Sequence, residues 1–161
     1  MLPTQAAELF CRHCAVDHRA DALYLPGWSA DDWAALLARS KSITLARNDV
    51  LIKRGQVEQS LFLVASGALE VNAGGGGTAM GGLFREGPGA VIGEIAFFDG
   101  GKRSATVWAI QPTQLLALER TDIESFAEQN PARGFELLFA LGRVLAFRVR
   151  RSEHRTRADA F

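Results

Sequence analysis

The 161-residue chain is poor in several of the residues that carry chemistry. Its two cysteines, Cys11 and Cys14, are too few for a disulfide framework, which leaves reduced thiols as the expectation. Its three histidines are His13, His18 and His154. All lie outside the central segment that reads as strands, and this argues against a metal-dependent β-barrel enzyme built on clustered imidazoles. No serine–histidine–aspartate set can be assembled in that segment either, so the chain is read as a non-enzyme without a cofactor. Charge of one sign is also lacking: 18 basic and 18 acidic residues cancel, and no global field draws the chain to nucleic acid or to a membrane. There is no apolar run of about 18 residues, and MLPTQAAELF lacks a basic stretch followed by an apolar one. A cytoplasmic protein without a membrane partner is expected.

What is present is ordinary for a globular domain, with 48% hydrophobic and 22% charged residues, so one core of good size is expected. Residues 1–40 read as helical. In SADDWAALLARS, Ser29 is placed to cap a helix, Asp31 and Asp32 lie in its first turn, and Trp33, Leu36 and Leu37 recur at helical spacing. Residues 41–120 change period. SITLA, DVLIKRG, SLFLVASGALEV, AVIGEIAFF, ATVWAI and TQLLALE are short apolar runs, most of them bounded by Gly, Asn, Asp or Pro, and they predict an all-β roll or barrel. Helix returns after Arg120, with Thr121 as cap, Glu124 at the capping-box position and Asn130-Pro131 as the stop. A second helix starts at Pro131 and runs through GFELLFALGRVLAFRVRR. Leu138, Leu141 and Leu145 mark one side of it and Leu137, Val144 and Phe147 another, so more than one face needs cover. The glycine-rich segment at residues 72–82 is followed by no Lys-Ser or Lys-Thr, which favours a hairpin connection over a phosphate cradle.

The stretch GEIAFFDGGKRSAT, residues 93–106, sets Glu94 and Arg103 around an apolar run and a glycine pair. Either the two side chains pair with each other, or they grip the ends of something polar. Gly93 allows close backbone approach because it has no Cβ. One helical turn after it points the N–H groups of residues 94–96 at an anion. Arg103 offers a planar fork to phosphate oxygens, Ser104 adds a hydroxyl and Ala105 is small. Glu94 beside a phosphate is repulsive unless it accepts hydrogen bonds, and a ribose hydroxyl is a fitting donor. The residues therefore read as sugar on Glu94 and phosphate on Arg103 and the backbone. The alternative is a plain Glu94–Arg103 salt bridge in a roll that has lost its ligand.

In their order, LIKRGQVEQSLFLVASGALEV, GPGAVIGEIAFF and KRSATVWA resemble the cyclic-nucleotide-binding domain of the catabolite-activator and fumarate-nitrate-regulator superfamily. Gly55, Gly67, Gly89, Val91, Gly93 with Glu94, and Arg103, Ala105 and Thr106 carry the resemblance across residues 40–120, with the flanking helices extending it. It implies a mainly β fold with flanking helices: a double-stranded β-helix, or jelly-roll-like β-roll, with an N-terminal helix and a C-terminal lid and dimerisation helix. It also implies ligand contacts at Ile92, Gly93, Glu94, Ile95, Ala96, Arg103, Ser104 and Ala105. Arg148 on the last helix is the candidate to stack on the base. The resemblance favours cyclic AMP as ligand and keeps cyclic GMP open, since Ser104 suits a phosphate or a guanine amino group.

On this reading residues 1–28 are an N-terminal extension, 29–151 the nucleotide-binding domain with its last helix, and 152–161 a basic tail. The expected assembly is a homodimer through the last helix. Only SEHRTRADAF follows that helix, so a helix-turn-helix reader is not expected in this chain and nucleic acid is not an expected partner. Two rival readings stand beside it. One is a DNA-binding regulator of the catabolite-activator type seen without its reader. The other is a metal or redox sensor on Cys11 and Cys14 (with His13 or His18) whose nucleotide site is vestigial.

Overall fold

A computed structural model describes the backbone of residues 3–16, 22–74 and 83–158, and the side chains of residues 5–12, 22–74 and 83–151. Eight strands lie between two N-terminal and two C-terminal helices, with one short helix set among them. Helix α1 spans Pro3–Val16 and α2 Ala30–Leu37. The strands are β1 Lys41–Leu45, β2 Val50–Ile52, β3 Leu61–Ser66, β4 Leu69–Asn72, β5 Leu83–Glu86, β6 Val91–Ile92, β7 Thr106–Ala109 and β8 Thr113–Leu118. Helix α3 is Glu94–Asp99, α4 Arg120–Gln129 and α5 Pro131–Ala158. The strands form two four-stranded antiparallel sheets, in the orders β1-β8-β3-β6 and β2-β7-β4-β5. This is the β-roll that the pattern of short runs predicts.

Two cores explain why some strands alternate and others do not. In β3, Phe62 and Val64 face the opposite sheet, while Leu61, Leu63 and Ala65 face the helices. Strand β8 divides the same way, with Leu115 and Ala117 inward and Leu116 and Leu118 toward the helices. A strand covered on both faces reads as an unbroken apolar run. In the second sheet β5 alternates: Leu83 and Arg85 are exposed, Phe84 is half-buried and Glu86 buried. β4 and β5 pair antiparallel from Leu69↔Glu86 to Asn72↔Leu83, as a hairpin connection requires. Residues 75–82 of the glycine-rich segment lie outside the described residues.

The helical layer packs on the outer face of the first sheet. Ser29 caps α2 as expected: its Oγ accepts the Asp32 N–H at 3.2 Å, and the Asp32 carboxylate accepts the Ser29 N–H at 2.8 Å. Trp33, fully buried, stacks on Phe10 of α1 at 5.3 Å, and Trp28 bridges Trp33 and Phe126 at 5.0 and 5.6 Å. Ala6, Ala7 and Phe10 of the segment read as an extension thus belong to the same core as α2, α4 and α5. Helix α4 starts one residue before the expected cap. Glu119 is its N-cap, with Asp122 accepting the Glu119 N–H at 2.9 Å, while Glu124 pairs instead with Arg120 at 2.9 Å. Acidic residues two positions earlier, Glu119 and Asp122, offer the same oxygen acceptors that Thr121 and Glu124 seemed to supply.

Asn130 closes α4 and Pro131 opens α5, where its missing N–H costs nothing. A polar cluster ties this corner to α2. Arg133 donates to Asp32 at 3.1 Å and to Glu136 at 2.9 Å, and Trp28 Nε1 donates to Glu136 at 2.9 Å. Partial burial pushes the Asp32 carboxyl up, but the hydrogen bonds from Ser29 and the Arg133 charge outweigh it and hold the group below 3.8. The Arg133 hydrogen bond likewise holds Glu136 below 4.5. Along α5, Leu137, Ala140, Leu141 and Val144 are buried, whereas Phe135, Leu138 and Phe139 are exposed. Leu141 therefore belongs to the roll-facing side, not with Leu138 on an open one. The helix also continues to Ala158, through most of the segment expected to be a tail. Among the described residues no helix is long and apolar enough to cross a membrane.

Candidate functional site

Strand β6 hydrogen-bonds to β3 through Val91↔Leu63 and Ile92↔Phe62, and the chain then turns sharply at Gly93, whose φ is 95°. A Cβ on Gly93 would lie 2.4 Å from Arg103 Nη1 and 2.7 Å from the Ser60 carbonyl oxygen. The close approach that a glycine permits here is thus made first by the protein's own guanidinium. The Phe97 N–H donates to the Gly93 carbonyl at 3.2 Å, which leaves the N–H groups of residues 94–96 in the first turn of α3 without an intrahelical acceptor.

Arg103 comes from the loop between α3 and β7. Its backbone is pinned to the β2–β3 loop, donating to Gln56 O at 2.8 Å and accepting from Gly55 N–H at 2.8 Å. Its side chain is buried. Nη2 donates to Ser60 O at 2.8 Å, Nη1 to Gly93 O at 3.3 Å, and Nη2 meets the half-exposed Glu58 carboxylate at 3.0 Å. Nε is buried with no hydrogen-bond partner among the described residues. The Phe62 ring lies 5.4 Å from the guanidinium carbon.

Glu94 is buried as well, and it does not pair with Arg103. Its Oε1 meets Arg148 Nη1 of α5 at 2.7 Å. The same guanidinium donates through Nη2 to Val91 O at 2.9 Å and lies 3.5 Å from Glu86 Oε1. One turn further, Arg151 Nη2 lies 3.6 Å from Glu86 Oε1, and its guanidinium sits 4.2 Å from the Phe84 ring centre. The expected stacking arginine, Arg148, is thus engaged with carboxylates, while its neighbour Arg151 lies over the Phe84 ring. The apposition is electrostatic: two cations of α5 against two buried carboxylates of the roll, in a setting where an unpaired ion would be costly.

These groups surround one cavity of about 210 Å³ between the inner face of the second sheet, the β6–α3 turn, the Arg103 loop and α5. Ile92, Gly93, Glu94, Ile95, Ala96, Arg103, Ser104, Ala105 and Arg148 all line it. The sequence motif thus converges in space, although Ser104 and Ile95 are exposed at its edge. The motif reading misses Glu86, Arg151, Phe84 and the Glu58 counter-ion. The alternation in Leu83–Glu86 is the signal that places Phe84 and Glu86 on the inner face.

At the other end of the molecule, Cys11 is half-buried on α1, with its thiol 3.4 Å from the Trp28 carbonyl. The side chains of His13, Cys14, His18 and His154 lie outside those described, as do those of Arg155 and Arg157. Among the described residues no group of three or more His, Cys, Asp or Glu is placed to hold a metal ion.

Comparison with known proteins agrees with this geometry. A family model described as the cyclic nucleotide-binding domain matches residues 42–130. Over 96 residues the chain is 36% identical to the cyclic AMP receptor protein of Thermus thermophilus, a match covering 57% of this chain and 43% of that protein. Over 129 residues it is 29% identical to a Rhodopseudomonas palustris protein named for a potassium channel, covering 73% of this chain and 30% of the other. The chain thus spans less than half the length of either relative. A solved cyclic nucleotide-binding domain from Methylobacillus flagellatus shares the fold, with a TM-score of 0.78 at 24% identity over 94% of this chain and 83% of that one.

Proposed function

The chain belongs to the cyclic nucleotide-binding domain family, and we propose that its cavity takes up a cyclic nucleoside monophosphate and reports the event through α5. The observation that carries this reading is the state of Arg103. Its guanidinium is buried at the cavity wall, holds one carboxylate from outside, and keeps Nε–H without an acceptor. A buried donor left unsatisfied costs about 1–3 kcal/mol. A phosphate oxygen at this wall satisfies it and takes over from Glu58 the role of counter-ion. The N–H groups that open α3 lie on the same wall and add fixed donors.

Glu94 supplies the acceptor for a sugar hydroxyl. Because Arg148 already holds Glu94, sugar and arginine must share that carboxylate or exchange places on it. Either event changes the force that fixes α5 to the roll, and this is the physical link from ligand to helix. In this reading Arg148 acts through charge on the carboxylates, with base stacking a lesser part.

The lining offers no histidine or cysteine for acid–base or nucleophilic work, and we read the chain as a regulatory module without resident cofactor. Homodimerisation belongs to the same proposal. Phe135, Leu138 and Phe139 form an exposed apolar strip on α5 that a second copy of the helix covers. Cyclic AMP is the ligand favoured by the sequence resemblance and by the name of the Thermus thermophilus relative. Isothermal titration of the full chain with cyclic AMP and cyclic GMP tests the reading. Micromolar or tighter binding of one of them is expected, and heat from neither overturns it.

A further inference from the structure

The guanidinium of Arg103 faces the cavity and also a carboxylate carried by another loop. Glu58, between β2 and β3, sets Oε2 3.0 Å from Nη2 of the buried arginine. That loop is laced to the Arg103 loop through the backbone. Gly55 N–H donates to Arg103 O and Arg103 N–H to Gln56 O, both at 2.8 Å, and Val57 bridges Lys102. Glu58 is thereby held in the neighbourhood of Arg103 whatever the cavity contains. The other two guanidiniums of the wall are matched as well, Arg148 to Glu94 and Glu86, and Arg151 to Glu86. Among the described residues no further cation lines the cavity. The charges of Arg103, Arg148 and Arg151 are thus balanced by Glu58, Glu86 and Glu94 before any anion enters.

A wall balanced in this way responds to the number of charges on the group it receives. A phosphate with one negative charge replaces Glu58 as the counter-ion of Arg103, and the half-exposed carboxylate turns to water. A second negative charge on the same phosphate meets no unmatched cation and lies beside Glu58, where like charges repel with little water to screen them. Given the cyclic-nucleotide reading on which this rests, we infer that Glu58 sets the selectivity of the site for a singly charged phosphodiester over a doubly charged phosphate monoester. A 3′,5′-cyclic phosphate carries one charge. The 5′-monophosphate left when that ring is hydrolysed carries about 1.5 to 2 at neutral pH, because a monoester has a second pKa of about 6. The site therefore separates the cyclic ligand from its own hydrolysis product by charge as well as by shape.

The test is displacement of fluorescent cyclic AMP and cyclic GMP from the full chain at pH 8 by the 5′-monophosphate of the same base and by its methyl ester. Both competitors have an open phosphate, and the ester carries only one charge, so ring closure does not distinguish them. The parent protein is expected to bind the ester about tenfold or more tighter than the monophosphate. In Glu58→Gln and Glu58→Ala, with folding checked by circular dichroism, that ratio falls to within about threefold. If Glu58 serves only to position Arg103, both competitors weaken together and the ratio stays, which overturns the assignment. An ester as weak as the monophosphate on the parent shows that ring closure alone selects, and overturns it too. Should both variants fail to fold, the ratio on the parent protein decides. Failure of both fluorescent cyclic nucleotides to bind contradicts the nucleotide reading itself, a result distinct from a wrong selectivity residue.

Discussion

Gly93 meets two demands that no other residue satisfies together. Its φ of 95° lies in the left-handed region, and the space of its absent Cβ is filled by the Arg103 guanidinium. Gly93→Ala is therefore expected to lower stability by more than about 1 kcal/mol and to displace Arg103 as well. A thermal melt and a nucleotide titration on the same variant check both effects. Arg103→Lys keeps the charge and loses the fork and Nε–H, so nucleotide binding should weaken by about 2–3 kcal/mol. Unchanged affinity in that variant would put the phosphate elsewhere. The individual site residues were legible in the sequence where they are contiguous, because Gly93–Ala96 and Arg103–Ala105 are each held by local turns. Glu58, Glu86 and Arg151 were not. Their roles arise from contacts between β-roll loops, β5 and α5, and no local pattern records which carboxylate a distant arginine will meet.

At the scale of elements, α5 shows what periodicity can and cannot give. The apolar spacing required more than one covered side, and the helix indeed buries Leu137, Leu141 and Val144 against the roll. It did not say which leucine faces which neighbour, because every turn of the helix carries apolar residues. Leu141→Asp should leave the protein unfolded or melting far below the parent, since it buries a charge in a closed core. Leu138→Asp and Phe139→Asp, at 41% and 71% exposure, should fold normally and sediment as monomers where the parent sediments as a dimer. Parent and variants sedimenting alike would remove the dimer from the proposal. The α4 cap was misplaced by two residues for a related reason. Glu119, Thr121 and Asp122 all offer oxygen acceptors, and the choice among them is made by where β8 ends.

The molecule as a whole is closed by charge at two points along α5. At its start, Arg133 ties the helix to α2 through Asp32 and Glu136. Both carboxyls are held below their ordinary values of 3.8 and 4.5, so the unfolded chain binds more protons in the window just beneath those values. Their contribution to stability is fully present above about pH 5 and is lost as pH falls through the lowered values. Melting temperature should therefore fall between about pH 5 and about pH 3, and less steeply in Asp32→Asn/Glu136→Gln; an equal slope in that variant would exclude this corner as the acid-sensitive one. Further along, Arg148 and Arg151 fasten the helix to the cavity, and beyond them the helix runs on to Ala158. At 1.5 Å per residue, Arg148 stands about 6 Å past the last fully buried side chain, Val144, and Ala158 about 21 Å past it. On the proposed coupling the helix acts as a lever with its fulcrum at Val144 and its short arm at the cavity. A shift of a few tenths of an ångström where Arg148 meets Glu94 would then be multiplied more than threefold at Ala158.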